Sequence, residues 1–118
     1  MIRFFLLALL SATPLSAAEW AVKPGDVPLT SEELNSLAGR TLTFFDDGQS
    51  KYSAGGAYSY TYASGESAYG TYSIAEDGSV CVAYRNGFSR CDLYVRSGDR
   101  LILIDQKGDR YPVRPEAQ

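Results

Sequence analysis

The sequence predicts an all-β domain: an antiparallel up-and-down meander curled into a small barrel or half-barrel, with one short N-terminal helix. Three observations carry this. After Gly39 the chain becomes a series of short runs rich in Tyr, Val, Thr and Ile, the residues that suit a pleated, half-buried surface. Turn chemistry separates the runs: Asp46-Asp47-Gly48, Gly55-Gly56, Ser64-Gly65, Asp77-Gly78, Asn86-Gly87, Ser97-Gly98-Asp99 and Lys107-Gly108-Asp109. The spacing is about 8–12 residues with few longer breaks, which implies consecutive hairpins. Curling such a meander removes exposed edges. A flat sheet backed by the one helix is the alternative architecture.

The elements follow in order. Arg3 supplies one positive charge, Phe4 to Leu10 is unbroken apolar sequence, and Ser16-Ala17-Ala18 closes a small-residue stretch containing Pro14. Residues 1–18 therefore read as a secretory signal peptide cleaved after Ala18. The run is too short, and broken too early, to span a bilayer, which takes about 20 apolar residues. Removing it leaves 118 − 18 = 100 residues, one domain's worth. Residues 19–28, with Trp20, Pro24 and Pro28, read as an extended lead-in, and 29–118 as a single β domain. Thr30 and Glu33 form a capping box at the start of a two-turn helix, with Leu29 and Leu34 placed as its hydrophobic staple. Gly39 is its left-handed stop. Strands are expected near 40–46, 50–53, 57–63, 68–75, 79–85, 88–96, 100–105 and 110–114. The run Leu101-Ile102-Leu103-Ile104 is apolar on both faces and reads as a strand buried on both sides, covered by the helix or by crossing residues.

Cys81 and Cys91 settle one register. In an oxidising compartment two lone cysteines ten positions apart read as a disulfide. A two-residue loop at Asn86-Gly87 would put the two cysteines on opposite faces of the sheet. A three-residue loop of Arg85, Asn86 and Gly87 pairs Tyr84 with Phe88 and Cys81 with Cys91, with Gly87 left-handed in a bulge. Alternation then makes the cysteines a non-hydrogen-bonded pair, the kind with the closer side chains.

Composition removes several function classes. The chain has no histidine, which excludes Ser-His-Asp and Cys-His catalysis and His-ligated zinc. Glu19–Val80 holds nine acidic and three basic residues, and Cys81–Gln118 seven basic and five acidic, so the mature chain sums to −6 + 2 = −4. That disfavours nucleic acid and anionic membranes as partners. Nothing in the mature chain is long and apolar enough to span a membrane. The acidic turns lack the alternating oxygen ligands of an EF-hand loop, and Asp-Gly is ordinary turn chemistry. Neither a metal nor a cofactor is expected.

The nine tyrosines are the remaining signal. Six lie between Tyr52 and Tyr72, and Tyr58, Tyr60 and Tyr62 share a face by their period of two. Such a row can stack on sugar rings or apolar ligands, and Tyr with Ser and Gly also suits protein recognition. The candidate ligand-binding set is Tyr58, Tyr60, Tyr62, Tyr69 and Tyr72. Trp20 either joins it or serves as an N-terminal plug. The plainer reading is that the row lines the barrel, since aromatic residues are ordinary strand formers.

From Gly70 to Val113, 44 of the 118 residues, the order is Gly70-Thr71-Tyr72, then Glu76-Asp77-Gly78-Ser79-Val80-Cys81, then Arg90-Cys91-Asp92, then a hairpin marked by Gly98 and Gly108. This order resembles small exported two-cysteine proteins of alphaproteobacteria. The resemblance implies a periplasmic β domain, lipocalin-like in outline, with no activity to carry over. In size, export and disulfide count the chain is also similar to periplasmic barrel inhibitors of lysozymes and secreted proteases. The expected function is non-enzymatic: a binding module taking a small apolar or glycan ligand on the Tyr-rich face. The alternatives are a protein-interaction module acting on an exported protein, through the loops between residues 53 and 69, and a small carboxylate-dependent hydrolase.

Overall fold

The computed structural model describes residues 19–116; the expected signal peptide lies outside the described residues. Nine antiparallel strands and one five-residue helix follow in the order β1(Asp26–Pro28), α1(Ser31–Asn35), β2(Thr41–Thr43), β3(Gln49–Tyr52), β4(Ala57–Thr61), β5(Ser67–Ile74), β6(Val80–Tyr84), β7(Ser89–Ser97), β8(Arg100–Ile104) and β9(Arg110–Pro112). From β2 to β9 each strand pairs with the next, so the sheet is the expected meander, curled into a half-barrel. Its two ends meet at one bridge, Phe44↔Val113, reinforced by the Arg114 N–H donating to the Thr43 carbonyl at 2.7 Å. The strands are shorter than the expected runs mainly where turns recruit their ends. Phe44 N–H donates to Gly48 C=O, and Gly48 N–H donates to Asp46 Oδ1, which takes residues 45–48 into a turn.

The helix begins as its sequence requires. Thr30 Oγ1 accepts from the Glu33 N–H and Glu33 Oε1 accepts from the Thr30 N–H, both at 3.1 Å. Five residues cannot hold a helix alone; Leu29, Leu34 and Leu37 are buried in the main core and hold it across one end of the half-barrel. Gly39 has φ 87° and donates to the Tyr52 carbonyl, which turns the chain into β2.

The disulfide hairpin has the expected register. Cys81 faces Cys91 with Cα atoms 4.0 Å apart. Tyr84 N–H donates to Phe88 C=O, Gly87 N–H to Tyr84 C=O, and Gly87 has φ 93°.

The lead-in does more than lead in. Its end is β1, paired with the second half of β7 (Asp26↔Ser97), and Asp26 makes a two-pronged ion pair with Arg110 at 2.8 Å on both prongs. That guanidinium holds the Asp26 carboxyl down at about 2. Trp20 packs against Leu93, Val95, Ile102 and Ile104 on the outer face, and its Nε1–H donates to Asp77 Oδ2. It therefore neither joins the tyrosine row nor enters the half-barrel. Leu103, and Leu101 beside it, face the main core while Ile102 and Ile104 face Trp20, so β8 is buried on both sides, covered on the outside by the lead-in rather than by the helix.

Candidate functional site

With α1 across one end, the opposite end of the half-barrel is a mouth. Strand alternation sends Tyr58, Tyr60 and Tyr62 along the inner face towards it. Tyr58 is buried, with its hydroxyl 2.8 Å from Ser50 Oγ; Tyr60 is half-buried; Tyr62 is exposed. Tyr60 and Tyr62 meet edge to face with centroids 4.9 Å apart. The row thus grades from core to solvent, so its inner third is structural and its outer two thirds are available. Tyr72 points into the core, edge-on to Tyr52, and its hydroxyl donates to the Ser53 carbonyl. Tyr69 pairs with Ser59 and lies on the other face, under the Arg85 guanidinium. The five candidate tyrosines therefore do not form one surface. An offset of three within a strand changes face, so the separation of Tyr69 from Tyr72 was readable from the sequence.

The mouth holds a cleft of about 440 Å3 lined by Tyr60, Tyr62, Phe44 and Tyr111, by the charged residues Asp46, Arg90, Asp92, Asp105 and Lys107, and by Cys91, Leu103 and Gln106. Ligand sites of small molecules span roughly 300–1,000 Å3. Gly48 makes room for the Tyr60 ring: a Cβ at residue 48 would collide with the Tyr60 hydroxyl.

Arg90 and Asp92 were not among the expected site residues. Their signal was the cysteine register: if Cys91 faces outward, Arg90 and Asp92 face inward with Val82 and Val80. Arg90 lies with its guanidinium 5.7 Å from the Tyr60 ring centre. Its Nε is 3.1 Å from Asp92 Oδ2 but misaligned, so this buried N–H has no acceptor among the described residues. Burial opposes the charge on Arg90, yet Asp92 beside it keeps the guanidinium pKa above its ordinary value. Asp92 is 4% exposed. Burial pushes its carboxyl up to about 6, against the pull of Arg90 and with a smaller push from Asp105.

That shift has a signed consequence. The folded chain holds the Asp92 proton more tightly than the unfolded chain, whose carboxyl titrates near 3.8. Stability therefore rises as pH falls through the folded value, by about 2 kcal/mol between roughly pH 7 and pH 4.5. Below about pH 4 the unfolded carboxyl also takes up its proton and the sign reverses, because Asp26 is held low by Arg110 and its stabilisation is lost as it protonates. Urea denaturation at a series of pH values checks this. Asp92→Asn is expected to abolish the rise between neutral and mildly acid pH; a rise that persists in the variant contradicts the assignment to Asp92.

The acids at the rim are already engaged. Asp105 Oδ1 accepts from the Lys107 and Asp109 N–H groups, each at 2.9 Å, and Asp46 Oδ1 accepts from Gly48. No group of three or more metal-ligating side chains occurs among the described residues, and no helix there is long and apolar enough to cross a membrane.

The chain matches no protein-family model, no curated protein and no solved structure.

Proposed function

We propose that the protein is a non-enzymatic binding module that works after export and seats a small saccharide in the mouth of the half-barrel. The observation that carries this is the cleft itself: three exposed-to-half-buried tyrosines, Tyr60, Tyr62 and Tyr111, beside three carboxylates, two cations and an amide. Aromatic faces suit the C–H faces of a pyranose. Mixed donors and acceptors summing to −1 suit a neutral polyol better than an ion, and so much charge disfavours a purely apolar ligand. A catalytic role is disfavoured because Asp46 and Asp105 hold turn amides and Asp92, although its carboxyl is raised to about 6, is buried against Arg90. The disulfide supports an oxidising compartment.

The test is an NMR titration with neutral trisaccharides at millimolar concentration. Shifts are expected at Tyr60, Tyr62 and Gln106. Tyr62→Ala, an exposed position, is expected to fold normally and weaken binding about tenfold or more, equivalent to about 1.4 kcal/mol. Absence of any shift in the cleft refutes the reading.

A second reading, a protein-binding module, draws on the exposed Tyr62, Tyr69 and Phe88 near the tips of the β4–β5 and β6–β7 hairpins. Tyr69→Ala separates the two: it leaves saccharide binding intact, and weakens binding to a partner protein gripped by those tips.

A further inference from the structure

Asp92 is a carboxylate badly placed for stability. It lies on the inner face of β7, opposite Val80 of β6, and shares the cleft wall with Leu103 of β8, its side chain only 5% exposed. No group among the described residues donates a well-aligned hydrogen bond to it, since the Arg90 Nε–H beside it points astray. That nitrogen is the only sealed side-chain nitrogen or oxygen without a partner among the described residues. The Asp92 oxygens, partnerless too, therefore still reach solvent, and they reach it through the cleft. A buried acceptor of this kind takes its partner from water or from a ligand. A charged group that lowers stability at neutral pH and opens onto a pocket has the marks of a binding group rather than a structural one.

We propose that Asp92 is the acceptor that grips the saccharide at the floor of the cleft, taking a hydrogen bond from a ring hydroxyl, so that the ligand is held at neutral pH and released in acid; the inference rests on the saccharide reading above. A hydroxyl suits this floor because it donates to the carboxylate and its oxygen can accept from the Arg90 guanidinium. A cation would meet Arg90 and Lys107, and an anion the three carboxylates. The grip depends on charge. An ionised carboxylate only accepts, and on protonation the charge-assisted bond is lost. Burial holds the Asp92 carboxyl up at about 6, so that change falls between neutral and mildly acid pH. A ligand that donates to the carboxylate favours its ionised form, so binding lowers this value and acid weakens binding. The charged groups facing Asp92 are Arg90 from β7 and Asp105 from the end of β8. Val80 and Leu103 face it from β6 and β8 without charge. The phenols of Tyr52 and Tyr94, pushed up by burial, stay neutral throughout. Asp46, Lys107, Tyr60, Tyr62 and Tyr111 complete the titratable lining of the cleft.

The experiment titrates the intact protein and its Asp92→Asn variant with the β-1,4-linked trimer of glucose, by calorimetry at about pH 7.5 and about pH 5.0. The unaltered protein is expected to bind about fivefold more weakly at the lower pH, the linkage value for a carboxyl lowered by about one pH unit in the complex. Asp92→Asn is expected to bind about fivefold or more weakly than the unaltered protein at the higher pH, and equally at both. The variant keeps Asp46, Asp105 and Lys107, so a pH dependence belonging to them persists in it. A second measurement needs no variant: saturating trimer is expected to displace the titration midpoint of the Asp92 carboxyl carbon resonance downward. An affinity that does not fall in acid, a fall that persists in Asp92→Asn, or an unmoved midpoint overturns the assignment to Asp92 and leaves the saccharide reading standing. A trimer that binds at neither pH overturns the two together.

Discussion

Tyr94→Ala is expected to remove about 3–5 kcal/mol of folding stability, the range for emptying a large aromatic site in a core. Tyr94 is fully buried on the inner face of β7. Its ring is edge-on to Tyr52 at 6.4 Å, and its hydroxyl is 2.6 Å from the Tyr52 hydroxyl. Alanine leaves a cavity and takes that hydroxyl's partner away inside the core, where burial pushes the Tyr52 phenol up to about 12. The hydroxyl pair can be isolated. Tyr94→Phe keeps the ring and is expected to cost about 1–3 kcal/mol, because the Tyr52 hydroxyl loses its partner. Tyr52→Phe combined with Tyr94→Phe is expected to cost less than the sum of the single changes. Urea denaturation of the four proteins measures this, and strictly additive single changes contradict the coupling.

Replacing Cys81 and Cys91 together by alanine is expected to lower stability by roughly 2–3 kcal/mol, the chain-entropy value for so short a closed loop. For a domain of this size that is a large part of a margin of about 5–15 kcal/mol. The register is expected to survive, because Val80 and Val82 are buried on the face opposite the disulfide and Gly87 still requires the three-residue loop. The double variant should therefore show a lower denaturation midpoint with cleft resonances in place. An unchanged midpoint would show that the bridge adds nothing beyond the hairpin's own pairing.

Legibility in the sequence followed chemistry that allows one answer. The Cys81–Cys91 register was legible because parity and turn type agree on a single loop, and the helix start because Thr30 and Glu33 satisfy each other. The β8 strand was legible as buried on both sides, but its cover was not: Trp20 reaches Asp77 across 57 positions, and no local pattern encodes such a contact. The tyrosine row was half legible. Period two places Tyr58, Tyr60 and Tyr62 on one face, yet a phenol is at home in core and solvent alike. How far along the row water reaches depends on where the curled sheet ends. Arg90 and Asp92 were missed because each reads as a solvated charge until the face opposite the cysteines is recognised as the inner one.

The strand order also sets the sequence of assembly. From β2 onward every strand finds its neighbour next along the chain, so a polypeptide emerging from its N-terminus can lay down these hairpins one after another at small loop-closure cost. Two connections must wait: Asp26↔Ser97, 97 − 26 = 71 positions apart, and Phe44↔Val113. Until the first of them forms, the aliphatic back of β7 and β8 stands bare to water. During that interval it is the surface a chaperone would grip.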